Sequence, residues 1–206
     1  PRLEELATGI RNNGALGLVQ IFHGGLRAPR SLTGLQPVSS SKNLENGAEE
    51  ESRALSEDEI LELVSSFGEA AERCERAGFD GIEIHGAHGY LICQFLGTRT
   101  NRREDRWGGG LEGRSLFLRE VIREVRNRTS DRFLVCVRIS PEHDVGVTLG
   151  ESLELSKMML GWDVDMIHIS CWDAFNGPRG NEDPRTLTRI FRDELGADAP
   201  IISTGS

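Results

Sequence analysis

Two histidines and a tyrosine fall close together in Glu83-Ile84-His85-Gly86-Ala87-His88-Gly89-Tyr90-Leu91. Imidazole and phenol groups can donate a proton or a hydrogen bond near neutral pH. Three of them on one small molecule imply acid chemistry or stabilisation of a developing anion. The apolar run Gly81-Ile82-Glu83-Ile84 just before them reads as a strand, which would deliver them to the rim of a sheet. Arg138 is the other conspicuous residue, within the apolar run Leu134-Val135-Cys136-Val137-Arg138-Ile139. A guanidinium there must be paired or must face a pocket, because burying it bare is too costly.

The elements that position these residues alternate regularly. Leu16–Phe22 reads as a buried strand. Ser56-x-x-Glu59 is a capping box that opens a helix through Ile60, Val64, Phe67, Ala71 and Cys74, and Gly78 stops it. The strand Gly81–His85 follows, then a helix through Leu118, Val121, Ile122 and Val125, then the strand Leu134–Ile139. Thr148-x-x-Glu151 is a second capping box, before a helix through Leu153, Leu155 and Met159. The strand Met166–Ile169 comes next. Asp183 as N-cap and Pro184 at the first helical position predict a helix through Leu187, Ile190 and Phe191. Pro200–Ser203 is the last strand.

Apolar strands alternating with helices imply an α/β protein with a helix-covered parallel sheet. Several strands end in polar residues, namely Gln20 and His23, His85, Arg138, and Ser170 with Trp172. In a (β/α)8 barrel that end of the strands holds the active site, although alternation alone fits a doubly wound sheet equally well. Gly108-x-Gly110-x-x-Gly113 follows a charged loop instead of a strand, so it lacks the context of a dinucleotide fingerprint. Residues 29–55, rich in Ser, Glu and Asn, are expected to be a long, solvated and mobile βα loop within a single domain spanning residues 1–206.

With 33 acidic residues against 24 Lys plus Arg, the net charge of −9 argues against nucleic acid or a basic membrane patch as partner. No run approaches the length of a membrane span. The four cysteines, Cys74, Cys93, Cys136 and Cys171, are dispersed without a C-x-x-C pair, as expected of a cytoplasmic protein.

Gly78-Phe79-Asp80-Gly81-Ile82-Glu83-Ile84-His85-Gly86-Ala87-His88-Gly89-Tyr90-Leu91, then Gln94-Phe95-Leu96 and Thr100-Asn101-Arg102-Arg103, resembles the signature of the old yellow enzyme family. These are FMN-dependent NAD(P)H:flavin oxidoreductases and ene-reductases. Gln20-x-x-His23-x-Gly25, Val137-Arg138-Ile139-Ser140 and Ile167-His168-Ile169-Ser170-x-Trp172 extend the resemblance along nearly the whole chain. It implies a TIM (β/α)8 barrel of which this chain carries about strands three to seven.

The resemblance also implies roles. His85 and His88 would bind the carbonyl or other acceptor of an electron-poor alkene, and Tyr90 would protonate its α carbon. A phenol, with a reference pKa of about 10, is protonated at neutral pH and suits that task. Gln20 and Arg138 would hold the pyrimidine side of FMN, with Arg138 facing N1 and O2, and Gly205 would begin its phosphate site. Trp172 would line the substrate pocket or pack. NADH or NADPH would be the reductant, and a homo-oligomer stays open. Taken without the family, His85-x-x-His88 lacks a third metal ligand at useful spacing, Tyr90 reads as a half-buried structural tyrosine, and His168 as a core residue. Asn101, Arg102, Asp105 and Arg114 read as structural pins of the loop that contains them.

Departures from the family pattern are Leu26-Arg27 where relatives carry Arg directly after His-x-Gly, Cys93 at a frequent His position, and Gly97-Thr98-Arg99 in place of Ser-Pro-Leu. A full barrel of this kind needs about 250 residues. The chain is therefore expected to be a partial barrel, running from Pro1 before strand three to Ser206 after strand seven, that binds FMN weakly or not at all as it stands. The alternatives are a flavin/iron–sulfur dienoyl-CoA reductase or amine dehydrogenase-like enzyme on the same barrel, and a non-catalytic barrel fragment.

Overall fold

The computed structural model describes residues 2–180 and 183–205. Pro1 and Ser206, the ends of the expected barrel arc, lie outside the described residues. In chain order the elements are α1 (Arg2–Asn12), β1 (Leu18–Ile21), the short helix α2 (Arg30–Thr33), β2 (Val38–Ser39), β3 (Arg53–Ala54), α3 (Glu57–Arg76), β4 (Gly81–Gly86), α4 (Leu91–Leu96), α5 (Leu111–Arg128), β5 (Leu134–Ile139), α6 (Leu149–Leu160), β6 (Met166–Ser170), α7 (Leu187–Leu195) and β7 (Ile201–Thr204).

Five strands form one parallel sheet in the order β1-β4-β5-β6-β7. The order never reverses. The long helices touch one another in succession, α3 with α5, α5 with α6, and α6 with α7. A doubly wound sheet reverses its strand order and carries helices on both faces. A sequential sheet with a single helical layer is the wall of a barrel.

Side chains alternate across that wall. Ile82, Ile84, Val135, Val137, Ile139, Ile167 and Ile169 face the helices and are almost completely buried in one apolar core. Gln20, Glu83, His85, Cys136, Arg138, His168, Ser170 and Thr204 share the opposite face, as the strand register requires. Phe117 of α5 locks the helical layer, with its ring 6.4 Å from Phe67 of α3 and 4.7 Å from Phe95 of α4. Among the described residues no helix is long and apolar enough to cross a membrane.

Local signals act as read at α3. Ser56 Oγ accepts from Glu59 N at 3.3 Å, Glu59 Oε2 accepts from Ser56 N at 2.9 Å, and Gly78 follows the helix at φ +87°. At α6 the box is half formed. Thr148 Oγ1 accepts from Glu151 N, but the Glu151 carboxylate pairs with the buried Arg114 instead. The start of α7 corrects the expectation. Thr186, not Asp183, is the N-cap and accepts from Arg189 N at 3.2 Å. Asp183 is held by the backbone N–H and guanidinium of Arg185, which keeps Pro184 out of the helix. β1 is shorter than expected, since Leu16 and Phe22 at the predicted strand ends are exposed.

Residues 29–55, largely exposed, are nonetheless tied to the body of the protein. β2 and β3 pair in parallel within this segment, and Ser39, Ser40 and Ser52 are buried. Ser40 Oγ donates to the backbone carbonyls of Gln94 and Thr100, and Arg103 reaches the carbonyls of Ser40 and Leu55. Short polar side chains that satisfy carbonyls of a neighbouring loop can be buried at little cost. Asn101, Arg102 and Arg114 act structurally, mostly through backbone carbonyls, while Asp105 pairs with Arg103.

Phe117→Ala is expected to destabilise the protein by roughly 3–5 kcal/mol, as large aromatic truncations in a closed core do. Urea midpoints of the parent and variant measure it; a loss below 1 kcal/mol would show that the α3–α5 interface repacks.

Candidate active site

The end of β4 builds the centre of the site. His85 is its penultimate residue, buried to 4% exposure, and its Nδ1 accepts from Ala87 N at 3.1 Å. That bond places the His85 proton on Nε2. The chain then turns through His88 at φ +57° and Gly89 at φ +71°. Two successive left-handed residues swing Tyr90 back over the strand end, where it precedes α4. The His85 ring centre lies 5.2 Å from that of His88 and 5.0 Å from that of Tyr90, edge-on to both. Phe22 lies beside Tyr90 at 5.2 Å. The Tyr90 hydroxyl has no hydrogen-bond partner among the described residues and is open to a ligand.

A left-handed His needs outside support. Ser140, just after β5, accepts the His88 N–H at 3.0 Å, and Arg27 donates to the His88 carbonyl at 2.6 Å. His88 Nε2 lies 2.6 Å from Ser170 Oγ at the end of β6. Arg138 Nη2 donates to the same Ser170 Oγ at 3.0 Å. A guanidinium can only donate, so Ser170 Oγ accepts from Arg138 and keeps both its proton and a second lone pair for His88 Nε2, a contact that either neutral tautomer of His88 can make.

Burial, with the charges of His88 and Arg138 adding to it, pushes the His85 pKa down to about 4. Burial likewise lowers that of His88, with Arg138 next in effect. Both imidazoles are therefore neutral at pH 7, each able to donate one hydrogen bond.

Around them opens a cleft of about 1580 Å³, lined among others by Arg27, His88, Tyr90, Arg138, Ser170 and Thr204. That exceeds the roughly 300–1,000 Å³ of an ordinary small-molecule pocket, leaving room for a cofactor and a substrate together. Trp172 lines it and is 77% exposed, so its role is not packing within this chain. Gly205 also lines it, at the end of β7. Gln20 does not. It lies on β1 one inward-facing position below His85 and donates to Glu83 Oε1 at 2.6 Å. His168 is buried within the sheet and bridges Glu83 and Thr204.

Two contributors had been given no part by sequence reasoning. Gln94 is completely buried, with Oε1 accepting from Leu26 N and Ser39 Oγ and Nε2 donating to Gly89 O at 2.7 Å. A lone amide in the otherwise apolar helix Leu91–Leu96 was the signal, because a buried amide must be bonded. Arg27 places its guanidinium carbon 5.9 Å from the Tyr90 ring centre while bonding His88 and pairing with Glu45. Nothing local in the sequence shows that.

The sequence matches the NADH:flavin oxidoreductase / NADH oxidase family over residues 1–189. The chain belongs to this family. It is 39% identical, over its full length, to 57% of a probable NADH-dependent flavin oxidoreductase of Bacillus subtilis. It is 33% identical, over 98% of its length, to 23% of an NADH:fumarate oxidoreductase of Klebsiella pneumoniae. The crystal structure of an old yellow enzyme homologue from Zymomonas mobilis superposes with a TM-score of 0.82 at 28% identity, covering 99% of this chain and 60% of that one. The five strands are thus an arc of a TIM barrel, strands three to seven.

The family is built around FMN, reduced in its members by NADH or NADPH. The residues of the cleft suit that group. Arg138 Nε is buried with no partner among the described residues, a donor suited to the flavin edge where negative charge collects on reduction. At Gly205 a Cβ would come within 2.7 Å of Ala174 N and 2.8 Å of Cys171 O, so a side chain is excluded where the backbone meets the loop that follows β6.

The depressed His85 pKa has a consequence for stability. Below its ordinary value of 6.5 the unfolded chain takes up a proton that the folded chain refuses down to about pH 4. Stability is therefore full above pH 6.5 and falls as pH drops through that window, by at most about 1.4 kcal/mol per pH unit for this residue. Urea midpoints between pH 7 and 5 are expected to fall less steeply in His85→Asn than in the parent; parallel slopes would contradict a neutral buried imidazole.

Proposed function

We propose that the intact protein uses NADH or NADPH to reduce an electron-poor alkene, with Tyr90 as the proton donor. The observation that carries this reading is the edge-on trio of His85, His88 and Tyr90, of which His88 and Tyr90 line one cleft with Arg138, whose Nε has no partner among the described residues. FMN, when bound, supplies the hydride taken from the nicotinamide. The protein side of the reaction follows from the groups described. His85, protonated on Nε2, and His88, in the tautomer with its proton on Nδ1, are neutral donors for the oxygen of a carbonyl or carboxyl group on the substrate. Their hydrogen bonds strengthen as that oxygen gains charge, which is the form of stabilisation that lowers a barrier. Tyr90 then delivers its hydroxyl proton to the carbon that has become enolate-like.

Arg138 favours a reduced cofactor carrying negative charge, because its guanidinium stays cationic and is anchored by Ser170. Gln20 and Gly205 complete the proposed cofactor contacts, and exposed Trp172 forms a wall for the substrate. Reduction of a fumarate by the Klebsiella relative supports an activated alkene as the substrate class.

Tyr90→Phe tests the proton donor. Stopped-flow mixing of the reduced variant with an enone is expected to show oxidation slowed about 100-fold or more, the usual contribution of a positioned general acid. Reduction by NADH is expected to stay within about twofold of the parent, since no proton is asked of Tyr90 in that step. Equal losses in both half-reactions would remove Tyr90 from this role.

A further inference from the structure

A hydrogen-bonded chain runs across the inner face of the sheet just below the cleft. Gln20 Nε2 on β1 donates to Glu83 Oε1 on β4 at 2.6 Å. Glu83 Oε2 receives His168 Nδ1 of β6 at 2.6 Å and the Cys136 thiol of β5 at 3.5 Å. His168 Nε2 then meets Thr204 Oγ1 of β7 at 3.0 Å. All five strands contribute a residue. Glu83 is the one carboxylate of this chain of contacts. Burial raises its pKa, but hydrogen bonds from His168 and Gln20 prevail and hold it at about 2.

An ionised carboxylate accepts and never donates. The two flips of a glutamine amide have nearly the same shape, but here one would turn its oxygen against the Glu83 oxygen. Only the flip with Nε2 on Glu83 is compatible. Gln20 Oε1 is thereby left without a partner among the described residues, on the face of the sheet that carries His85 and Arg138.

We propose that Glu83 is a positioning residue for the cofactor: it fixes the Gln20 amide so that a hydrogen-bond acceptor, not a donor, meets the flavin. The ligand group that matches an acceptor is an N–H, and the pyrimidine ring of the flavin carries one between two carbonyls. Arg138 offers the complementary donor to the neighbouring oxygen and nitrogen. Glu83 acts through Gln20 and does not touch FMN itself. His168 and Thr204 brace the carboxylate from the far side, which gives the buried imidazole a task besides packing. The proposal rests on the reading that Gln20 contacts FMN, and not on the identity of the substrate or of the proton donor.

The test is an FMN titration of the intact apoprotein, read by quenching of flavin fluorescence, with a thermal melt of each apoprotein alongside. Glu83→Gln keeps the shape of the side chain but lets the facing amide flip. It is expected to raise the FMN Kd about fivefold to tenfold, the scale of one misdirected hydrogen bond. In a Gln20→Ala background the same change is expected to shift Kd by less than about twofold, because nothing remains to be oriented. The double exchange Gln20→Glu with Glu83→Gln reverses donor and acceptor across the contact yet still presents an acceptor to the flavin. It is expected to bind FMN within about threefold of the parent, and it keeps the test decisive should Glu83→Gln alone fail to fold. An unchanged Kd in Glu83→Gln, or the same factor in both backgrounds, would overturn the proposal. So would a Gln20→Ala variant that binds FMN as the parent does. A Tyr90→Phe result of either kind leaves these titrations untouched, so the two readings fail separately.

Discussion

A parallel strand presents one row of side chains to the helices and the other to the interior, and the structure depends on keeping the two rows chemically distinct. The helix-facing row is Ile and Val on three successive strands, buried to almost nothing. The inner row carries a carboxylate, a guanidinium and two imidazoles on the same strands. A slip of one residue would exchange the rows, driving Glu83, His85 and Arg138 into the apolar core. Register and site are therefore specified together. The polar row is tolerable because it is internally bonded, from Gln20 through Glu83 and His168 to Thr204, with Ser170 serving both Arg138 and His88.

The turn that follows β4 depends on that register as well. It must reverse direction within a few residues while keeping three polar rings together, and it does so through left-handed His88 and Gly89. Backbone of that kind persists where its surroundings over-determine it. The supports come from separate loops: Gln94 beneath Gly89, Ser140 on the His88 N–H, Arg27 on its carbonyl. Residues 29–55 take part through Ser39, which bonds the Gln94 amide, and through Glu45, which pairs with Arg27. What reads as a polar excursion is the brace that holds the turn after β4.

Legibility followed the range of the forces involved. The capping box at Ser56 and Glu59 is a contact within one helical turn, and it forms as read. The second box was half right, since Glu151 sits where Arg114 of another helix can claim it. The start of α7 failed for a similar reason: Asp183 had the chemistry of an N-cap, but Arg185 competes for its carboxylate and Thr186 caps instead. The length of β1 was overestimated because apolar character continues into Leu16 and Phe22 while pairing does not. In the site, the His85–His88–Tyr90 grouping was visible because its members are neighbours in the chain, and Arg138 because a charge in an apolar strand requires an explanation.

The sequence by itself determined the alternation of strands and helices, the strand-end placement of the histidines and tyrosine, and, through its motifs, the family and its barrel. Those features are set by spacings of two to seven residues, over which side-chain periodicity and capping act. Only the tertiary structure decided where the His85 proton sits, what holds the His88 turn, and that Gln20 is bonded to Glu83. The partners in those contacts lie up to 85 residues apart, as Glu83 and His168 do. Hydrogen bonds act over about 3 Å, so such pairs exist only once the sheet has brought the strands into register.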